Sequence, residues 1–222
     1  MQVVKTNPPG VSIMKPFSRT VRLVGSVVIT IVVLSLTNVA QAKQEKPLLS
    51  GASTEMIVYT CVGCHGQKGI SNGPSIPSIG GTSAAYLIET MEGYKSGEIP
   101  STIMGRLAQG YTKKEIKQMG KYFSSQKFVA AVQTSDAKKA KKGVAIHDDY
   151  CEKCHSDGGT SVDDESGILK GQWRPYISAQ LMDYQNKDRI ASKKMGKKLK
   201  TMYKKHGDAG IEALLEYYSS DL

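Results

Sequence analysis

"CVGCHG" at Cys61–Gly66 and "CEKCHS" at Cys151–Ser156 decide how the rest of the chain is read. Both spell Cys-x-x-Cys-His, and together they use all four cysteines and two of the four histidines of the 222 residues. Residues i, i+3 and i+4 of a helix share one face. On a helical turn Cys61, Cys64 and His65 therefore point one way, as do Cys151, Cys154 and His155. Two thiols beside an imidazole are what a c-type haem needs: thioether bonds fix the porphyrin edge, and the histidine reaches the iron from below. The pattern predicts two covalently bound haems c, held by Cys61, Cys64, Cys151 and Cys154, with His65 and His155 as axial iron ligands. Zinc is the competing reading. Its Cys-x-x-Cys pairs usually recur within about 15–20 residues, whereas 87 separate Cys64 from Cys151. A thioredoxin-like redox pair would need βαβ surroundings, and no segment shows sustained strand alternation.

The two motifs belong to a longer repeat. A shift of 90 residues also carries Gly81 onto Gly171, Tyr86 onto Tyr176 and Tyr94 onto Tyr184. Further on, a shift of 95 aligns "IKQMGKYFSS" (from Ile116) with "IEALLEYYSS" (from Ile211). Each half reads as helical. Thr112 to Glu115 forms a capping box before a helix with Ile116, Met119, Tyr122 and Phe123 on one face. Leu87, Met91 and Tyr94 make a second apolar stripe. In the other half Pro175 suits a first helical turn ahead of Ile177, Leu181 and Tyr184, and Asp208 can cap a last helix carrying Ile211, Leu214, Leu215 and Tyr218. The fold class expected is all-α, two tandem class I cytochrome c-like domains related by duplication. Domains of roughly 80 residues bury only a modest core, and a haem would complete each one.

The ends of the halves are set by composition. Lys5, Lys15, Arg19 and Arg22 precede an apolar run from Leu23 to Leu36, and Ala40-Gln41-Ala42 fits a cleavage site. This predicts a signal peptide over 1–42 whose apolar run of 14 residues is too short for a membrane span of about 20, and hence export to the periplasm with no membrane attachment afterwards. A first domain over 43–130, a lysine-rich linker over 131–143 and a second domain over 144–222 follow. Net charge over the whole chain is +10, which bears on solubility and partners rather than on fold. Nucleic acid is not an expected partner, because the lysines are not interleaved with aromatics in a recognition pattern.

The second axial ligand is a choice among nine methionines and two spare histidines. No histidine lies between His65 and His147, so methionine is the natural donor for the first site, and a Met/His pair raises the potential relative to bis-histidine. The repeat matches Met91 to Leu181 and Met119 to Leu214, as core positions should be. Met104 and Met195 pair instead at a shift of 91, each followed by Gly and a base, 39 and 40 residues after His65 and His155. These two are the expected ligands. Met202 and His206 are rivals in the second half. His147 is eight residues from His155, about 12 Å along a helix, and is expected at the surface or on a propionate.

Longer blocks now carry a resemblance. "IETMEGYKSGEIPSTIMGRLAQGYT" (Ile88–Thr112), "HDDYCEKCHSDGG" (His147–Gly159), "GILKGQW" (Gly167–Trp173) and "GDAGIEALLEYY" (Gly207–Tyr218) closely resemble the two-haem cytochrome c subunit of flavocytochrome c sulfide dehydrogenase. The resemblance runs from about Thr54 to the end and leaves out the targeting segment and linker. It implies His65, Met104, His155 and Met195 as the haem-iron ligands. It also implies a heterodimer with an FAD-binding subunit that oxidises sulfide, FAD lying only on that partner. This chain would have no catalytic residue of its own and would pass electrons singly to a soluble acceptor such as a small cytochrome c. A free two-haem carrier serving a terminal oxidase is the alternative, and a two-haem peroxidase would need one iron left open. The apolar stretches "IPSIGG" and "EIPSTIMG" are expected to face the flavoprotein, and the seven lysines of "ASKKMGKKLKTMYKKHG" (Ala191–Gly207) the acceptor.

Overall fold

The computed structural model describes residues 51–163 and 166–221. The expected signal peptide and the start of the first domain lie outside the described residues. Among those described, every regular element is helical, and no helix is long and apolar enough to cross a membrane.

The first half contains α1 (Thr54–His65), α2 (Ala84–Ser96), α3 (Met104–Ala108) and α4 (Lys113–Ser124). The second contains α5 (Ala137–Tyr150), α6 (Arg174–Asn186) and α7 (Lys193–Tyr218). Local chemistry sets the starts. Ser53 accepts a hydrogen bond from the Met56 N–H at the head of α1, and Ser83 one from Tyr86 at the head of α2. The capping box of α4 forms in full: the Glu115 N–H donates to the Thr112 hydroxyl, and the Thr112 N–H donates to the Glu115 carboxylate. Pro175 occupies the first turn of α6, where a missing N–H costs nothing. The last helix expected from Asp208 is the final part of α7, which is interrupted at Gly207 (φ 56°, ψ −153°).

The repeat is written into the backbone. α2 and α6 coincide at a shift of 90, residue for residue, and both end in a left-handed cap, at Gly97 and Lys187. The N–H of Gly81 donates to the Phe123 carbonyl at 2.8 Å, and the N–H of Gly171 to that of Tyr218, also at 2.8 Å. Both glycines need positive φ, 76° and 83°. A Cβ at Gly81 would lie 2.4 Å from the backbone nitrogen of Phe128, which is why the repeat keeps glycine there.

Each half has its own apolar centre. Ile57, Val58, Met119 and Phe123 form the first, with Leu87 and Met91 partly buried against it. Ile146, Ile177, Met202, Ala213, Leu214, Leu215, Tyr217 and Tyr218 form the second. The aligned pair Met119 and Leu214 is core in both halves, as expected.

Two expectations change. The stretch read as a linker is helical from Ala137 onward. Asp136 caps α5 by accepting from the N–H groups of Lys138 and Lys139, and Ala140 and Gly143 are buried against α7. Alanine and lysine are good helix formers, so a spacing of small residues among lysines gives a one-sided helix, not a coil. The remaining residues run as a strap along the second half. Ala131 N–H donates to Gly171 O, and the Gln133 side chain bonds both the Gln172 carbonyl and the Arg174 N–H. The second Cys-x-x-Cys-His also departs from helix. α5 stops at Tyr150, and Cys151–His155 form turns beyond it. The Glu152 side chain holds these turns, reaching forward to accept from the N–H groups of Asp157 and Gly158.

Candidate functional site

α1 delivers the first motif on its last turn. Cys61 is partly buried, Cys64 exposed, and His65 buried at the C-terminus. Turns deliver the second, yet the backbone keeps one helical link there, with the His155 N–H donating to Cys151 O at 2.9 Å. The i to i+4 relation between first cysteine and histidine is therefore preserved in both. Burial pushes the thiols of Cys61 and Cys151 above their ordinary range.

The histidines carry the decisive geometry. His65 Nδ1 lies 2.9 Å from the Pro77 carbonyl, and His155 Nδ1 lies 3.2 Å from the Gly167 carbonyl. Both acceptors stand 12 residues after their histidine. A carbonyl can only accept, so Nδ1 carries the proton in each ring and Nε2 presents its lone pair. Burial, the largest influence, holds both imidazoles below the ordinary histidine range, while the carbonyl contacts pull the other way. A neutral ring of fixed tautomer, anchored through its far nitrogen, is what an iron-ligating histidine requires. The residues present thus fit haem c at both motifs. Among the described residues, no group of three or more His, Cys, Asp or Glu side chains could hold a metal ion as a zinc cage would.

Met104 opens α3, and Met195 sits in the first turn of α7; both are half-buried. Serine hydroxyls brace both. Ser101 Oγ accepts from the Gly105 N–H at 2.6 Å, and Ser192 Oγ from the Met195 N–H at 3.3 Å. Ser101 and Ser192 share the methionines' shift of 91, so Ser-x-x-Met-Gly is repeated whole. Sequence reading missed that although the letters were there. Met202, the rival, is 1% exposed within the second apolar centre. His206 packs its ring edge-on to Tyr150 with centroids 5.6 Å apart. His147 is not at the surface. It is fully buried, with Nδ1 3.0 Å from the Tyr218 hydroxyl and Nε2 2.7 Å from a Glu152 carboxylate oxygen.

The stretch "IPSIGG" (Ile76–Gly81), expected to be open to a partner, is taken up within the chain. Gln172 of the second half bonds Ser78, and Trp173 donates through Nε1 to Ser71 O at 3.1 Å while its ring lies over Gly73.

No family model matches the chain. Over 71 residues it is 42% identical to the cytochrome subunit of sulfide dehydrogenase of Chlorobaculum tepidum, covering 32% of this chain and 64% of that protein's length. Over 78 residues it is 35% identical to cytochrome c-554(548) of Halomonas halodenitrificans, covering 34% of this chain but 94% of that one. The chain belongs to the c-type cytochromes. A stretch about the size of one half thus matches nearly all of a small cytochrome c. The solved structure of reduced recombinant cytochrome c4 from Pseudomonas stutzeri overlays with a TM-score of 0.64 at 24% identity, over 76% of this chain and 98% of that one. This cytochrome accordingly has the class I fold in two domains. It is related to the sulfide dehydrogenase cytochrome subunit.

Proposed function

We propose that this cytochrome is the two-haem subunit that takes electrons from an FAD-containing, sulfide-oxidising flavoprotein and hands them singly to a soluble acceptor in the periplasm. The observation that carries it is the duplicated histidine geometry: two imidazoles of the same fixed tautomer, each directly after a Cys-x-x-Cys. Haem c supplies a one-electron ferric–ferrous couple. Two such sites in one chain match the two electrons that a flavin gains from sulfide. Cys61 and Cys64 would hold one group and Cys151 and Cys154 the other, with His65 and Met104 offered to the first iron from a first domain ending near residue 130. His155 and Met195 would serve the second. The similarity to the Chlorobaculum tepidum subunit supports the partner, although the chain spans 64% of that protein's length.

Purification of the native protein tests the partner. Flavin absorbance should accompany haem through successive columns; haem alone would instead favour the free carrier. Replacing Met195 with Ala should weaken the ferric thioether–iron band at long wavelength by about half, on equal contributions from two Met/His sites. An unchanged band would move the ligand to His206 or Met202.

A further inference from the structure

The Pro77–Ser78 peptide unit is gripped from both sides. Its carbonyl accepts from His65 Nδ1–H at 2.9 Å. Its N–H donates to Gln172 Oε1 at 3.1 Å, and Gln172 Nε2 donates to the carbonyl of Ser78 at 2.6 Å. Gln172 and Ser78 are buried, at 5% and 3% exposure. The result is a continuous chain of hydrogen bonds from an imidazole in the first half, through one amide, to a side chain in the second half. Hydrogen bonds in series polarise one another, by roughly 10–30% per bond. An amide whose N–H is engaged is a better acceptor at its C=O.

The second site is not built this way. Its acceptor is the Gly167 carbonyl, at the longer distance of 3.2 Å. The first half offers it Tyr86, whose hydroxyl would lie 2.9 Å from a Cβ at Gly167 and so closes over that glycine. Thr82 stands where the repeat would put a counterpart of Gln172, and a threonine has no carboxamide to bond both the N–H and the C=O of one residue.

We infer that Gln172 is a positioning residue for His65 across the seam, and that it sets the reduction potential of the first haem below the value its own half would give. The inference rests on the haem reading above. A stronger Nδ1–H bond makes the imidazole more basic and favours the ferric state. Loss of the clasp therefore raises the potential of the first site and leaves the second where it was.

The test uses the full two-haem chain. Wild type must first show two haems and the thioether–iron band, since their absence would sink the haem reading and not this one. Gln172→Met keeps length and volume but can bond neither the N–H nor the C=O of Ser78. Gln172→Asn, one methylene short of reach, serves if the Met variant fails to load haem. Redox titration followed by haem-methyl NMR signals should show one potential rising and one unmoved, with faster solvent exchange of the His65 Nδ1–H proton. Trp173→Phe, which loses the bond to Ser71 O and part of the ring over Gly73 but leaves the Gln172 bonds to Ser78 in place, should change neither reading. Two unmoved potentials, two potentials moving together, or an equal shift in Trp173→Phe would each overturn the assignment.

Discussion

Three positions behind the second haem motif depart from the repeat in the same direction. Ile57, Val62 and Phe123 of the first half become His147, Glu152 and Tyr218 at shifts of 90, 90 and 95. In the first half Ile57 and Phe123 are plain core. In the second, the Tyr218 hydroxyl is hydrogen-bonded to His147 Nδ1 and His147 Nε2–H donates to the Glu152 carboxylate. Glu152 also accepts from Asp157 and Gly158, so it ties the motif turn to the core. The His147 contact, the largest influence, holds the Glu152 carboxyl below its usual range; burial acts in the opposite sense. A carboxyl with a depressed folded-state pKa stabilises above its ordinary value, and that stabilisation is lost as pH falls through the depressed one. Glu152→Gln should therefore melt below wild type at neutral pH, with the gap closing as pH falls past the ordinary glutamate range and wild-type Glu152 takes up its proton. A gap that stayed constant from pH 7 to pH 3 would contradict this. The alignment of His147 with Ile57 was legible as a core position. The expectation of a surface or propionate position left out that the same two shifts bring Glu152 and Tyr218 in as polar partners for a buried imidazole.

Helices show where such reading succeeds. α2, α4 and α6 carry local signals at their starts, a serine cap, a capping box and a proline, and local signals survive packing. α5 had only an Asp cap before lysines and was taken for a linker, because the contact that holds it is remote. A Cβ on Gly143 would lie 2.1 Å from the Ala213 carbonyl, and a side chain there would separate α5 from α7. The ends of α2 and α6 offer a measurement. Gly97 and Lys187 occupy equivalent left-handed caps at φ 80° and φ 66°. A non-glycine residue in that conformation costs roughly 1–2 kcal/mol. Lys187→Gly should stabilise the chain by about 1 kcal/mol, and Gly97→Ala should destabilise it by a similar amount, since a Cβ at Gly97 meets nothing within 4 Å and only the backbone angle is at stake. Denaturant titration of both variants measures this pair directly, and changes of the same sign would show that something other than the cap decides.

Across the whole molecule, the seam between the halves decides which surfaces are left for partners. "IPSIGG" is held by Gln172 through Ser78, just after the turn that Trp173 covers at Ser71 and Gly73, so of the two apolar stretches first considered "EIPSTIMG" stays the more open. Within it Ile99 packs on Gly93, whereas Ile103 is 55% exposed beside Met104, with Leu107 exposed one turn on. Opposed to this in character, Lys193, Lys194, Lys197, Lys198, Lys200, Lys204 and Lys205 are all exposed on α7, while Met202 of the same helix is core. A permanent subunit contact wants an apolar centre poor in charge. A passing acceptor is gathered by long-range charge, and the rate then falls with salt. Ile103→Glu is therefore the cleaner probe, because Ile99→Glu would also disturb packing inside its own half. The Ile103 variant should lose the flavoprotein on purification while keeping both haems. Lys197→Glu should keep the flavoprotein and lower the rate of electron transfer to an acidic acceptor, with a flatter dependence on ionic strength. Retention of flavin by the Ile103 variant and its loss from the Lys197 variant would reverse the orientation, placing the lysine-bearing half against the flavin.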